Sequence, residues 1–192
     1  MRTFIREILV TLILAVVIFF LLQATLQSFI IVECCMEPEF QEGERLLVNK
    51  VVYHFHEPER GDVIILHPPL NPEAVYIKRL IALPGDTVEV KTGAVYVNGS
   101  KLDEPYIKEP PTYTFHQKKI PENEYFVLAD NRNNANDSHK GWTVPRQNII
   151  GKAWLSFWPP GEWGLVPRYS LQEQLKGVQL LNNLLSAKGA IW

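Results

Sequence analysis

Cysteine is scarce in this chain: the two residues present, Cys34 and Cys35, are neighbours. Adjacent thiols cannot staple distant segments, so a disulfide framework within the chain is excluded, apart from a rare and strained vicinal bond. There is no CxxC pair and no Cys/His zinc spacing, and no carboxylate spacing completes a metal site around His54, His56 and His67. No metal and no cofactor is therefore expected. An excess of one charge is also missing, since 19 Lys and Arg stand against 21 Asp and Glu for a formal net of −2, with no basic block. That balance leaves a nucleic-acid partner without support. Repeats and low-complexity tracts are absent too, so the 192 residues suffice for one domain with a core plus an appended segment.

What is there begins with a long run free of charge. Ile8 to Leu22 (ILVTLILAVVIFFLL) carries no charged residue, and the weakly polar continuation stays uncharged as far as Glu33. A helix of about 20 apolar residues spans a bilayer. Arg2 and Arg6 precede the run, and the positive-inside rule then leaves the N-terminus in the cytoplasm. A cleaved signal peptide competes with this reading, but no small-x-small site closes the run. The expected organisation is a cytoplasmic N-terminus over residues 1–7, a transmembrane helix over 8–30, an extracytoplasmic β domain over 31–168 and a tail over 169–192. The chain is thus expected in the cell membrane as a single-pass protein.

From Arg45 onward short β runs alternate with turn residues. They are Leu46 to Phe55, Asp62 to Leu66, Val75 to Leu83, Thr87 to Val90, Ala94 to Val97, Tyr125 to Leu128 and Ile149 to Phe157, separated at Arg60-Gly61-Asp62, Pro84-Gly85-Asp86 and Asn98-Gly99. The pattern predicts a mainly β protein, an all-β barrel-like domain behind one helix. Asn98-Gly99 predicts a tight hairpin, because it supplies the positive φ angles that such a turn needs. Leu102 to Pro121 has little periodicity and reads as an extended loop, with His54 and His56 on one face of the strand through Phe55. The tail from Ser170 to Lys188 places Leu171, Leu175, Val178, Leu181, Leu184 and Leu185 at helical spacing, which predicts an amphipathic helix packed on the β domain. Trp154, Phe157, Trp158 and Trp163 are divided between core packing and a bilayer interface.

Four blocks follow the apolar run in a fixed order. The first is Cys35-Met36-Glu37-Pro38 with the turn Gln41-Glu42-Gly43-Glu44 and the strand Leu46-Leu47-Val48. Arg60-Gly61-Asp62-Val63-Ile64-Ile65 comes next, then Tyr76-Ile77-Lys78-Arg79-Leu80-Ile81-Ala82-Leu83-Pro84-Gly85-Asp86. The last is Phe126-Val127-Leu128-Ala129-Asp130-Asn131-Arg132-Asn133-Asn134-Ala135-Asn136-Asp137-Ser138. This ordered set behind a membrane span resembles the type I signal peptidases. The resemblance implies the signal peptidase β fold, removal of signal peptides from secretory preproteins, and partners that include those preproteins, the lipid bilayer and the secretion translocon. It puts Cys35 at the nucleophile, where the family has serine, and Lys78 at the general base, with Arg79 as its usual neighbour. Met36, Pro38 and Tyr76 are implied to shape the site, and Asp130, Asn131, Arg132, Asp137 and Ser138 to hold it.

The chain departs from the pattern at several positions. Glu33 stands where Gly or Ser is usual two residues before the nucleophile, unless Val32-Glu33-Cys34-Cys35-Met36 is one residue short. Ala135 stands where a serine often bonds the lysine, and Ala129 and His139 replace the usual Gly and Arg. A homologue that binds signal sequences without cutting them is the alternative reading of these departures. A self-cleaving regulator of Ser/Lys type is a more distant one, opposed by the membrane span.

A side-chain nucleophile that hydrolyses a peptide bond needs a base in reach, and a lysine serves only if its surroundings lower a reference pKa of about 10.4. Strand alternation puts Tyr76, Lys78 and Leu80 on one face, Ile77 and Arg79 on the other. Since the reference pKa of a thiol is about 8.5, a close Cys35 and Lys78 pair is expected to rest as thiolate and ammonium.

Overall fold

The computed structural model describes residues 2–176. The apolar run forms α1 (Arg2–Thr25), of which Phe4–Thr25 is long and apolar enough to cross a membrane, at a mean hydropathy of 2.7. The helix stops earlier than the uncharged run suggests. Residues 26–30, expected to complete the span, form β1 (Leu26–Ile30) instead, in register from Leu26 opposite Asn49 to Ile30 opposite Arg45 on β2 (Arg45–Asn49). The backbone of this stretch has a strand partner available, and pairing continues past it as Ile31 N–H donates to Glu44 C=O. An absence of charge does not by itself distinguish bilayer from sheet edge.

The strand expected through Phe55 ends at Asn49. The Asn49 side chain accepts from the N–H groups of both Val51 and Val52 at 3.0 Å and so starts the short helix α2 (Val52–Phe55), as asparagine commonly does at a helix entry. His54 therefore lies on a helix, and the one-face strand pairing with His56 is corrected.

The remaining strands are β3 (Val63–Leu66), β4 (Tyr76–Ala82), β5 (Thr87–Lys91), β6 (Ala94–Val97), β7 (Ser100–Lys101), β8 (Phe115–Lys119), β9 (Glu124–Leu128), β10 (Val144–Pro145), β11 (Ile149–Trp158) and β12 (Gly164–Leu165). All their pairings are antiparallel. The main sheet runs β1-β2-β11-β3-β4-β9-β10 with β12 on β11, and a second sheet runs β7-β6-β5-β8. The mainly β class with one N-terminal apolar helix is as expected, and the main sheet curls so that residues of β1 and β4 line one groove. In the second sheet Val88, Val90, Val95 and Val97 all face one core, the alternation that a half-buried strand requires. Asn98 and Gly99 close its hairpin at φ 52° and 77°.

Residues 102–121, read as a loop, contain β8. Four of its residues, His116 to Lys119, are exposed, so a strand that owes its place to pairing with β5 carries no apolar period to betray it. Leu171 and Leu175, in the helical residues 171–176, are buried against the second sheet, so the start of the tail packs on the β domain. The predicted continuation from Val178 to Lys188 lies outside the described residues. Trp154, Trp158 and Trp163 are exposed at 49%, 51% and 69%, so none of the three is a core residue.

Candidate active site

Local chain geometry brings the blocks together. Cys34–Met36 forms a single turn of 3-10 helix, with Met36 fully buried and Phe40 N–H donating back to Met36 C=O. The last block pins this turn from the side. Asn131 N–H donates to Cys35 C=O at 2.9 Å, Asn131 Nδ2 to Cys34 C=O at 3.1 Å, and Asn134 Nδ2 to Cys34 Sγ at 3.3 Å. Across the groove, β4 pairs with β3 over Tyr76–Arg79 and meets β9 only from Arg79 onward. Tyr76, Ile77 and Lys78 thus present one strand edge that β9 does not cover.

Lys78 and Cys35, 43 residues apart, meet there. Lys78 Nζ lies 3.3 Å from Cys35 Sγ, with both residues buried. The thiol in turn is placed to donate to Ile77 C=O at 3.8 Å, and Lys78 Nζ sits 5.1 Å from the centre of the Tyr76 ring. Burial is the largest influence on the thiol and pushes it above its ordinary pKa. The charge and hydrogen bond of Lys78 pull it down, the Glu33 carboxylate pushes it up, and the Cys35 amide favours the anion, but burial wins. Burial therefore works against the thiolate and ammonium expected from reference values and favours the protonated thiol.

A second buried arrangement lies directly behind. Arg79 grips Asp130 through two hydrogen bonds of 2.9 and 2.6 Å, with both side chains fully buried. Its third donor reaches Gly61 C=O at 3.0 Å, and Tyr106 lies beneath its guanidinium at 4.1 Å. Gly61 has φ +92°, and a Cβ there would stand 2.4 Å from Tyr169 C=O, so only glycine leaves room for the Tyr169 carbonyl beside this turn. Asp130 keeps the guanidinium charged despite its burial. Arg132 bonds Ala129 C=O and makes a fork with Glu104 at 2.9 and 2.7 Å. Asp137 accepts from Ala129 N–H and from His139, and Ser138 Oγ accepts from Val127 N–H at 3.1 Å.

This geometry can be set beside known proteins. The signal peptidase model, peptidase S26, matches residues 2–158. A probable signal peptidase I-1 from Synechocystis sp. is 48% identical over 136 residues, 67% of this chain and 69% of that protein. A signal peptidase I from Bacillus licheniformis is 36% identical over 162 residues, 78% of this chain and 87% of that protein. The chain belongs to the signal peptidase I family. A crystal structure of a signal peptidase I from Enterococcus faecalis V583 is 33% identical, with a TM-score of 0.46, over 50% of this chain and 97% of that one.

As a signal peptidase I the chain is an endopeptidase, and its apolar α1 fits the membrane association of the family. The residues singled out in the sequence fall into two groups. Cys35, Lys78, Tyr76, Glu33 and Cys34 line or adjoin the groove and the cleft beside it. Arg79, Asp130, Arg132, Asp137 and Ser138 are buried and bind the strands together, with Asn131 between the two groups. Pro38 is exposed, and Ala135 packs against the apolar cluster of Cys35 and Met36 without a hydroxyl to offer Lys78. Glu33 is exposed, yet near enough for its charge to act on Cys35.

Sequence reasoning missed three contributors. Asn134 bonds the Cys34 sulfur, Glu104 completes the Arg132 fork, and Tyr106 stacks under Arg79. The run of amides around Asn134 was legible as a polar turn. Glu104 and Tyr106 lay in the stretch read as loop and gave no signal.

Proposed function

We propose that this protein removes signal peptides from secretory preproteins with Cys35 as nucleophile and Lys78 as the base that serves it. The observation that carries the reading is the 3.3 Å approach of Lys78 Nζ to Cys35 Sγ at the end of a groove. The groove has a volume of about 110 Å³, between Phe29–Glu33 on one wall and Val75–Lys78 on the other, over Leu46 and Ile65. Both walls are strand edges, so a preprotein can bind extended between them and gain backbone hydrogen bonds. The small volume favours small side chains before the scissile bond.

In the reaction, Lys78 Nζ takes the thiol proton as Sγ attacks the scissile carbonyl carbon. The amide of Cys35 helps to hold the oxyanion, Lys78 returns the proton to the leaving amine, and a thioester remains. Water, deprotonated by Lys78, then hydrolyses the thioester and regenerates the thiol. The N-terminus lies in the cytoplasm, and the exposed tryptophans rest at the interface of the outer face, where such rings are favoured.

The test is preprotein cleavage by the purified full-length chain and its variants in detergent. Cys35→Ala is expected to lose at least about 1,000-fold in kcat/KM, while Cys35→Ser keeps cutting and ignores thiol reagents. In a Cys34→Ser background, where Cys35 is the sole thiol, alkylation should abolish cleavage. Cleavage that survives full alkylation of Cys35 removes it from the mechanism. Failure of both the parent and Cys35→Ser to cut any preprotein would leave a homologue that binds without cleaving.

Burial raises the Cys35 thiol above its ordinary range, so its proton is harder to remove at neutral pH. The active form therefore gains population as pH rises, and kcat/KM should keep increasing beyond the ordinary thiol range. A profile already flat from about pH 7, the value nearest a matched base, would contradict the protonated resting thiol.

A further inference from the structure

Cys35 sits where two cavities meet. The apolar groove lies on one side, and on the other is an open cleft of about 660 Å³ bounded by Val32–Cys35, Glu42 and residues 133–136. A peptide bond lying across the sulfur sends its acyl half one way and its amine half the other. If the groove takes the acyl half, as the reading above holds, the cleft is what remains for the chain that leaves.

The chemistry of that cleft is one-sided. Glu33 and Glu42 line it, both exposed, and no Lys, Arg or His does so among the described residues. Neighbouring carboxylates are already engaged: Glu37 pairs with Lys108 at 2.7 Å, and Glu44 accepts from Gln41 N–H and Ser156. The amides are largely engaged too, Asn133 with Thr112 and Pro110, Asn134 with Cys34, Asn136 with Tyr76 and Trp142. Glu33 and Glu42, by contrast, have no hydrogen-bond or ion-pair partner for their carboxylates among the described residues. Two unengaged negative charges at the rim of a cleft set up a potential that selects by charge.

We propose that this cleft receives the first residues of the mature chain and that Glu33 and Glu42 favour a cationic side chain there over an acidic one. The inference rests on the cleavage reading of the Cys35 site and adds its substrate preference. Specificity of this kind works by repulsion as much as attraction, so an acidic residue is disfavoured by the same two groups.

The experiment compares three preproteins that differ in one residue, Lys, Gln or Glu, within the first three positions after the scissile bond. With the full-length protein at low salt, kcat/KM is expected to fall in the order Lys, Gln, Glu, spanning about 10-fold because both carboxylates are solvent-exposed, and to converge as salt is raised. Glu33→Gln with Glu42→Gln should bring the Lys-to-Glu ratio near one, and Glu33→Lys with Glu42→Lys should invert it. Glu33 also acts on the thiol, but that effect changes all three rates alike and leaves the ratio untouched. Cleavage of the Gln substrate shows that each variant is folded. If no substrate is cut, the peptidase reading fails; if all are cut with a ratio near one in the parent, or with a ratio that the double variant leaves unchanged, this inference alone is overturned.

Discussion

Lys78→Ala is expected to lower kcat/KM for preprotein cleavage by at least about 1,000-fold, the upper part of the range for losing a positioned acid-base group. The magnitude follows from what else could serve. After Lys78, the next charge that bears on Cys35 is that of Glu33, and it pushes the thiol toward its protonated form. Removing the amine therefore leaves Cys35 with burial and a carboxylate both opposing ionisation. Lys78→Arg should fail as well, because a guanidinium stays protonated and cannot accept the thiol proton. Lys78→Ala is expected to leave thermal stability unchanged or higher. Lys78 is buried at 2% exposure with a sulfur and a ring face as its neighbours, and no carboxylate pairs with it among the described residues. A lysine head group buried in that way costs folding energy, and alanine removes the cost. Loss of activity together with an undiminished Tm is the pattern to look for. A variant that retains a tenth or more of the parent activity would remove Lys78 from the chemistry.

The second large effect lies behind the site. Asp130→Ala is expected to cost about 3–5 kcal/mol of stability, the usual penalty for leaving one partner of a buried ion pair alone. For a chain of this size that corresponds to a fall in Tm of roughly 6–20 °C. The Arg79 guanidinium would keep Gly61 C=O and the Tyr106 ring but lose the carboxylate that offsets its burial. Because β4 carries Arg79 one residue after Lys78, cleavage should fall along with stability. Arg79→Met with Asp130→Leu should recover much of the lost Tm, since an apolar pair of similar volume removes the uncompensated charge. Recovery stays partial, as Gly61 C=O then has no donor. Thermal unfolding of the full-length protein in detergent reads this directly. A drop below about 1 kcal/mol for Asp130→Ala, typical of an exposed pair, would show that the buried pair is not what fastens β4 to the last block.

Much of the architecture was legible before any coordinates. The alternation at Val88 and Val90, the Asn98-Gly99 turn and the apolar Val63–Leu66 are local features, and local features survive in a linear reading. The blocks around Cys35, Lys78 and Asp130 were legible by resemblance. What was missed has a common cause. β1 looked like the end of a membrane span and β8 like a loop, because each is a strand through the partner it pairs with rather than through its own periodicity. His54 was assigned to a strand because the capping side chain of Asn49 acts on two amides beyond it, which no alternation pattern records.

Composition and order of residues by themselves determined an apolar helix followed by β structure, and the resemblance carried by four ordered blocks added a short set of residues fit for peptide hydrolysis. Only tertiary structure decided that an amine and a sulfur 43 positions apart come within 3.3 Å, that burial pushes the thiol above its ordinary pKa, and that two glutamates line an open cleft without a counter-charge among the described residues. The division has a physical reason. Backbone preference and side-chain period act over a few neighbouring residues, whereas desolvation and charge act through space and depend on which strands the sheet sets side by side.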